Sequence, residues 1–248
     1  MGTTNSLCIN NLTVKYALNT ALNGVTFSVS TGKLIGIIGP NGAGKSTLIK
    51  AMLGLVHSSH KGIIFNSKPI NTFKKQISYV KQRQDHDITF PIQVKDVVML
   101  GIYPKLGFLK YPSKLHKSQV LDALKQVNMQ DFYKKQIGEL SGGQLQRVFL
   151  ARVIVQGASL IFLDEPFVGI DAYSEQTIMQ VIKRMRNQGN TIIIVYHDLH
   201  KVTEYFDQVI ILNKELIACG DTTTTFTKQN IAKAYKSSLL DFLKEGEF

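Results

Sequence analysis

Cysteine is scarce in this chain, and long apolar runs are missing from it. Of 248 residues only Cys8 and Cys219 are cysteines, too few for a disulfide framework or a cysteine-based metal site. The longest apolar runs, such as TIIIV, fall far short of the roughly 20 residues that a membrane-spanning helix needs. The N-terminus also lacks the charged, apolar and small-residue pattern of a secretory signal. We therefore expect a chain that does not cross a membrane and works in the cytosol.

Acidic residues are outnumbered by basic ones. The chain has 29 Lys and Arg against 18 Asp and Glu, a formal net charge of +11 at pH 7. Such a charge attracts polyanions, which raises the possibility of a nucleic-acid or membrane-surface partner. The basic residues are dispersed, however, and lack the interleaved aromatics of a single-strand binder. We therefore expect a solvated basic surface and no nucleic-acid partner.

A glycine-rich loop follows an apolar segment. Residues 34–38 are apolar enough to form a buried strand, and a helix is predicted from about Lys45. Residues 39–46 fit the P-loop pattern G-x4-G-K-[ST]. They also lie in the context that the pattern requires, a strand followed by a loop and then a helix. In such a loop backbone N–H groups surround a phosphate chain, Lys45 reaches the β- and γ-phosphates, and the Ser46 hydroxyl ligates Mg²⁺. The residues predicted to contact the nucleotide here are Gly39, Pro40, Asn41, Gly42, Ala43, Gly44, Lys45, Ser46 and Thr47.

Two further apolar strands end in groups that could take part in chemistry. SLIFLDEP ends in Asp164, placed to hold Mg²⁺, and Glu165, placed to polarise a water for in-line attack on a phosphoanhydride. TIIIVYHD ends in His197, which could contact the γ-phosphate, although a lone histidine at a strand end is more often structural. If these strands share a sheet with the strand before the P-loop, Gly39, Asp164 and His197 lie along one edge of it.

The region between the P-loop and the Asp164–Glu165 pair differs from the rest of the chain in its predicted secondary structure. ISYVKQ predicts a strand that ends at Gln82. Residues 87–101 and 113–127 are predicted helices, the second with Val120, Leu121, Leu124 and Val127 on one apolar face. We therefore expect a helical subdomain inserted into an α/β core. Near the C-terminus, DTTTTFT is predicted to be a loop that runs into a short helix.

Taken together, the motifs resemble those of the nucleotide-binding subunits of ABC transporters. The P-loop GPNGAGKST, the Gln82 loop, the signature LSGGQ, the strand LIFLDEP, the GID turn and His197 occur in that family's order and spacing. The resemblance implies the ABC ATPase fold. This is an α/β, P-loop NTPase (RecA-like) core with an N-terminal antiparallel β subdomain and an inserted α-helical subdomain. It also implies ATP and Mg²⁺ as cofactors.

The resemblance further implies how the single domain, residues 1–248, is organised. Residues 1–82 and 159–220 would form the nucleotide-binding core with its β subdomain. Residues 83–158 would form the helical subdomain that carries the signature, and residues 221–248 a C-terminal helical tail.

The roles of several residues are implied only by the resemblance to this family. In this family two subunits pair head to tail, so that each ATP lies between the P-loop of one and the signature of the other. Tyr16 would stack on adenine, Asp171 would communicate across the dimer, and Gln82 would approach Mg²⁺ and the attacking water. Ser141 is also a suitable cap for the helix that follows it, which would make the signature an anion site. The signature residues expected at the partner's γ-phosphate are Ser141, Gly142, Gly143 and Gln144.

Longer stretches narrow the resemblance to the ATP-binding subunits of bacterial manganese/zinc-type metal importers. They include FPIQVKDVVMLGIY, IGELSGGQLQRVFLARVIVQ, DEPFVGID and NIAKAY. Lys81 stands where that family usually has proline, and Tyr196 where it more often has threonine or histidine. The resemblance implies a homodimer on the inner face of the cell membrane. Its partners would be an integral-membrane permease and, through the permease, an extracytoplasmic metal-binding protein.

Two alternatives remain open from the sequence. The same ATPase could serve an importer of a siderophore, haem or another solute. The chain could also be a non-transport ABC ATPase of DNA repair or translation. This alternative is less compatible with a chain that has one P-loop and one signature.

Overall fold

The computed structural model describes residues 6–81, 90–106 and 110–235. Its strands are β1 (Ser6–Tyr16), β2 (Asn19–Ser30), β3 (Leu34–Ile38), β4 (Gly62–Phe65), β5 (Lys68–Pro69), β6 (Ile77–Val80), β7 (Leu160–Asp164), β8 (Thr191–Val195), β9 (Gln208–Asn213) and β10 (Glu215–Asp221). Its α-helices are α1 (Lys45–Met52), α2 (Val94–Met99), α3 (Lys114–Gln126), α4 (Gly142–Gln156), α5 (Ala172–Asn187), α6 (Val202–Tyr205), α7 (Thr222–Thr225) and α8 (Lys228–Tyr235). Within those described ranges, no helix has both the length and the apolar character needed to cross a membrane.

The chain divides into two compact units. One consists of residues up to Lys74 together with those from Thr191 onward, and the other of Lys75–Asn190. The first unit contains an antiparallel sheet in the order β2, β1, β4, β5. Much of β1 and β2 alternates between buried and exposed residues, as is typical of a sheet with one solvated face. This sheet is the predicted N-terminal antiparallel β subdomain.

A second set of strands in the first unit is parallel at its centre. β3 pairs in parallel with β8 on one side and with β9 on the other, and β10 pairs antiparallel with β9. Both β3 and β8 are buried at every position, as is typical of parallel strands that are covered on both faces. The strand predicted at 34–38 is therefore confirmed, and the strand predicted from Thr191 to His197 is confirmed as far as Val195.

The threonine-rich stretch after β10 is helical, so the prediction of a loop there is wrong. It forms α7, although threonine is a weak helix former. The Thr222 hydroxyl donates to the Phe206 carbonyl at 2.7 Å, and Thr222 N donates to the Asp207 carbonyl at 3.0 Å. These tertiary bonds outweigh the local propensity. The helix predicted after it is confirmed as α8, with Thr227 Oγ1 accepting the Asn230 N–H at 3.2 Å.

In the second unit, β6 and β7 pair in parallel, with Ile77 opposite Leu160. Helix α4 is tied to β6 because Gln156 Nε2 donates to the Ile77 carbonyl at 2.7 Å. Helix α5 has one apolar face. Its buried residues are Ile178, Met179, Val181, Ile182 and Met185.

The helix predicted over 87–101 is wrong at its N-terminal end. Residues 87–89 lie outside the described ranges, and α2 begins well inside the predicted segment. The residues just before α2 pair with a distant segment: Gln93 and Gln136 form an isolated antiparallel bridge, and Ile137 N donates to the Ile92 carbonyl at 3.0 Å. Pro91 also disfavours helix here, since it has no N–H and restricts the residue before it.

The helix predicted over 113–127 is confirmed as α3, but its apolar face is narrower than expected. Val120, Leu124 and Val127 are fully buried. Leu121 is 36% exposed, because at 3.6 residues per turn it is rotated away from the other three.

Candidate functional site

The loop between β3 and α1 has a shape that requires its glycines. Gly42 and Gly44 have φ of +77° and +92°, a region that only glycine enters without strain. A Cβ atom at Gly44 would come within 2.6 Å of Leu22 Cδ2 on β2, and one at Gly39 would overlap the Leu212 carbonyl. The predicted P-loop is thus held closely between β2 and the end of β9. Its tip, at Asn41 and Gly42, is exposed.

Lys45 opens α1, and its side chain folds back over this loop. The Lys45 ammonium donates to the carbonyls of Gly39 at 2.8 Å and Pro40 at 3.0 Å, and the residue is only 6% exposed. Among the described residues no side chain caps the N-terminus of α1, and its first turn has no acidic residue. The uncapped helix end and the nearby ammonium attract an anion. The loop therefore fits a nucleotide's phosphate chain, with Ser46 and Thr47 in the first helical turn.

His197 leaves the sheet beside this loop. Tyr196 N donates to the Ile37 carbonyl at 3.0 Å, which holds the end of β8 to the end of β3. Because the two strands are parallel neighbours, the P-loop and His197 follow at the same edge, as predicted for Gly39 and His197. His197 is exposed.

Tyr196 explains one departure from the family pattern. Its ring is 2% exposed and packs against Tyr205 and Phe206, with ring centroids 5.9 and 5.2 Å away. The residue before His197 is therefore part of an aromatic cluster, for which threonine or histidine would be a poor substitute.

Tyr16 lies at the end of β1, in the hairpin whose other strand supports the P-loop. The hairpin places Val14 opposite Leu22, and Leu22 contacts Gly44. Tyr16 is 45% exposed, so its ring is accessible to a base. Stacking of Tyr16 on adenine stays a prediction.

The two carboxylates of the DE pair lie at the end of β7 in the second unit. Asp164 is 4% exposed, and the Tyr79 hydroxyl donates to its Oδ2 at 3.2 Å. Carboxylate oxygens are suitable ligands for Mg²⁺. Glu165 has a φ of +49°, which costs a non-glycine residue energy and is often found at functional sites. The alignment of Asp164 with Gly39 and His197 stays a prediction, since Asp164 belongs to the other compact unit.

The signature begins helix α4 with a reciprocal cap. Ser141 Oγ accepts the Gln144 N–H at 3.3 Å, and Gln144 Oε1 accepts the Ser141 N–H at 3.0 Å. The predicted capping role of Ser141 is confirmed. The Ser141 oxygen serves as an acceptor in this bond, so the hydroxyl hydrogen remains a possible donor to an anion.

The signature also contacts the start of helix α5. Asp171 caps α5 by accepting the Ser174 N–H at 2.9 Å, and this bond holds the pKa of Asp171 below its usual range. A Cβ atom at Gly143 would come within 2.6 Å of both Cβ and Oγ of Ser174. The N-termini of α4 and α5 therefore touch, which brings the signature and the GID turn together.

Sequence analysis missed three residues of this site. Arg147 Nε donates to the Gly143 carbonyl at 3.4 Å; burial lowers the Arg147 pKa, and the charge of Asp171 opposes that change. Ser174 and Tyr79 gave no signal in the sequence, since their contacts depend on how distant elements pack. Gln82, predicted to approach Mg²⁺, lies outside the described residues.

Comparison with known proteins identifies the family. Residues 22–168, more than half of the chain, match the family model described as ABC transporter. The manganese transport system ATP-binding protein MntB of Listeria innocua is 52% identical over 94% of this chain and 98% of its own length. The zinc transport system ATP-binding protein TroB of Treponema pallidum is 43% identical over 92% and 85%. YfeB of Yersinia pestis, named as a chelated iron transport protein, is 41% identical over 92% and 78%.

Solved structures show the same fold. The cbiO1 protein of Clostridium perfringens, part of the ABC transporter complex cbiONQ, superposes with a TM-score of 0.78 at 28% identity. That match covers 97% of this chain and 98% of cbiO1. A dimeric bacterial ABC transporter cassette has a TM-score of 0.76 at 23% identity, over 87% of this chain and 98% of its own. The chain therefore belongs to the ABC transporter family, as one of its ATP-hydrolysing cassettes.

Proposed function

We propose that this cassette powers the import of a divalent transition metal, manganese or zinc with iron as an alternative cargo, through a separate membrane permease. The observation that carries the proposal is the identity with manganese and zinc transport ATP-binding proteins over nearly the whole chain. The chelated iron relative supports the wider class of metal cargo. The cassette would work on the inner face of the cell membrane, where the permease exposes its cytoplasmic side.

The phosphate loop would bind ATP through its backbone amides. Lys45 would exchange its bonds to the Gly39 and Pro40 carbonyls for bonds to the β- and γ-phosphates. Ser46 and Asp164, with Gln82, would hold Mg²⁺. When bound, Mg²⁺ supplies positive charge that offsets the charge on the transferred phosphoryl group.

Hydrolysis would depend on Glu165. Its carboxylate would accept the proton of the attacking water while the new bond to the γ-phosphorus forms and the bond to the β-phosphate oxygen breaks. His197 would donate a hydrogen bond to the γ-phosphate. The strained backbone of Glu165 supports this role, because strain of this kind persists where function requires it.

A second copy of the chain would complete the site. The signature of the partner copy would contact the γ-phosphate through the Ser141 hydroxyl and the amides at the start of α4. That helix end carries partial positive charge, so it would favour the ATP-bound dimer. Loss of the γ-phosphate after hydrolysis would weaken the contact and release the dimer.

Metal uptake by cells tests the proposal. Cells that contain the chain with its permease should accumulate manganese or zinc, and Glu165→Gln should abolish this uptake by removing the general base. Glu204→Gln, which neutralises a carboxylate on α6, is the matched control and should transport normally.

Separate uptake assays with iron, haem and a ferric siderophore distinguish the cargoes. Uptake of the siderophore or haem without uptake of free metal ions would contradict the metal assignment. Uptake that continues in Glu165→Gln would contradict the hydrolytic role of Glu165.

A further inference from the structure

The hydroxyl of Tyr79 on β6 lies against a carboxylate on the neighbouring strand. In the parallel pair of β6 and β7, Tyr79 is opposite Phe162. Because alternate residues of a strand face the same way, Asp164, two residues beyond Phe162, lies on the same side of the sheet as Tyr79. The half-buried Tyr79 side chain spans this diagonal, and its hydroxyl donates to Asp164 Oδ2 at 3.2 Å. The contact therefore follows from the register of the two strands.

Helix α4 holds the backbone of Tyr79 in place. Arg152 Nη2 donates to the Tyr79 carbonyl at 3.3 Å, and Gln156 Nε2 donates to the Ile77 carbonyl at 2.7 Å. The two donors are one helical turn apart on α4, and the two carbonyls, two residues apart on β6, point the same way. Since these bonds involve the backbone of β6, replacing the Tyr79 hydroxyl leaves them in place. The position of the ring and the contact of its hydroxyl can therefore be separated by substitution.

A phenol hydroxyl is a suitable partner for a carboxylate that has to bind a cation. It is a neutral donor, so it orients the buried Asp164 side chain without offsetting its negative charge, as a lysine or arginine would. A carboxylate has about four lone-pair sites on its two oxygens, so one bond from Tyr79 leaves acceptor capacity for a metal ion. Residues that hold a metal ligand in place in this way tune the affinity for the metal.

We propose that Tyr79 is a positioning residue for Mg²⁺ binding: its hydroxyl holds the Asp164 carboxylate in the orientation that receives the metal together with the nucleotide. Tyr79 contacts neither the metal nor the nucleotide in this scheme. Orienting the carboxylate before the metal arrives lowers the entropy cost of binding. The inference rests on the proposed role of Asp164 as a Mg²⁺ ligand.

The conservative variant Tyr79→Phe keeps the ring and removes the hydroxyl. The quantity to measure is the magnesium gain, defined as the affinity of the full-length protein for a fluorescent ATP analogue with Mg²⁺ divided by its affinity with EDTA. Loss of a group that supports a metal ligand typically lowers metal affinity at least tenfold, so the magnesium gain should be reduced about 10-fold or lost. The affinity in EDTA should be unchanged, which also shows that the variant is folded.

Two further variants show whether the hydroxyl acts through Asp164. Tyr133→Phe is the matched control, because it removes the hydroxyl of another half-buried tyrosine of the same unit, whose ring centroid lies 6.0 Å from Lys95 Nζ. It should leave the magnesium gain unchanged. Asp164→Asn should abolish most of the gain by itself. Adding Tyr79→Phe to Asp164→Asn should then reduce the gain no further, since residues that act as a unit are not additive.

Three results would overturn the inference. The first is a magnesium gain in Tyr79→Phe equal to that of the unmodified protein. The second is an equal reduction in Tyr133→Phe, which would show that the effect is not specific to Tyr79. The third is a further reduction in the double variant, which would show that the hydroxyl does not act through Asp164. An unmodified protein without a magnesium gain, or a full gain in Asp164→Asn, would instead contradict the proposed role of Asp164 itself.

Discussion

Lys45 and Glu165 are charged residues in unusual surroundings: the first is nearly buried, and the second has a strained backbone. The Lys45 ammonium is nearly buried but bonded to two carbonyls of the loop, which can be exchanged for phosphate oxygens. Glu165 has a left-handed backbone that a glycine would adopt more easily. At Glu165 the proposed catalytic role of the side chain would account for the strained backbone. The sequence motifs identified both residues, while the strain at Glu165 became visible only in the structure.

Cys219 offers a test at the scale of one residue. Burial raises the pKa of its thiol to about 12, so at pH 8 only about one molecule in 10,000 carries the reactive thiolate. In Cys8→Ser, where Cys219 is the sole cysteine, alkylation by iodoacetamide should be slow at pH 8. Its rate should rise about tenfold per pH unit up to pH 10. The same variant unfolded in urea is the control and should level off near the ordinary thiol pKa. A plateau near pH 9 in the folded protein would contradict the prediction.

At the scale of elements, the contact between the N-termini of α4 and α5 links two motifs that are separate in sequence. Each helix is capped by its own residue, Ser141 or Asp171. Gly143 allows the two helix ends to approach, since any Cβ there would meet Ser174. The glycine of the signature therefore has a packing role in its own chain, in addition to its proposed contact with the partner's nucleotide.

Gly143→Ala should disturb this contact. The added Cβ would lie within 2.6 Å of two Ser174 atoms, and overpacking of this kind costs about 1–3 kcal/mol. Ser174→Gly removes both atoms, so the double variant should be destabilised less than the sum of the single variants by about 1 kcal/mol. Urea unfolding of the four proteins measures this coupling. If the changes in unfolding free energy of the single variants simply add in the double variant, the two helix ends can move apart without an energetic cost, which would contradict the prediction.

At the scale of the whole molecule, the proposed contact of the signature with a partner's nucleotide would make the cassette depend on a second copy. In its own chain Ser141 caps a helix. An anion site of this kind becomes useful when a second phosphate-binding loop supplies the ligand. The proposed head-to-tail dimer satisfies that requirement for both copies at once.

Glu165→Gln should trap the dimer with ATP bound, because binding continues when hydrolysis stops. With ATP it should have twice the monomer mass of 27.7 kDa in light scattering, and with ADP it should remain a monomer. Adding Ser141→Ala should weaken this dimer by about 10-fold or more, since a hydrogen bond to a charged phosphate is lost. ATP affinity of the monomer should hardly change.

Ser118→Ala, on the exposed side of α3, is the control for the serine substitution and should leave the trapped dimer intact. An equal loss of monomer ATP affinity and dimer stability in the Ser141→Ala variant would argue against a contact in trans. Continued ATP turnover in Glu165→Gln would argue against its role as the general base.

Much of the fold and site could be predicted because the required signals are local. Apolar runs predicted the parallel strands β3, β7 and β8, and the spacing of apolar residues predicted α3. The P-loop was predictable because its left-handed residues must be glycines and its helix must follow directly. The cap at Ser141 likewise depends on residues within one helical turn.

Other features depend on chain segments that meet only after folding. The start of α2 is set by pairing with the segment around Ile137, and α7 forms because Thr222 bonds to Phe206. No local pattern contains such partners, so the sequence predicted a longer helix in one case and a loop in the other. Tertiary bonds outweighed modest differences in local propensity at both places.

By itself the sequence determined the chemistry of this protein: a phosphate loop, a pair of carboxylates and a signature, each defined by neighbouring residues. Only the tertiary structure decided what supports those groups. The Tyr79 hydroxyl bonds to Asp164 across 85 residues of sequence, and the Lys214 N–H after β9 donates to the Ala43 carbonyl of the phosphate loop at 2.8 Å. The physical reason is that a hydrogen bond between distant segments depends on strand register and helix packing, which the whole fold establishes.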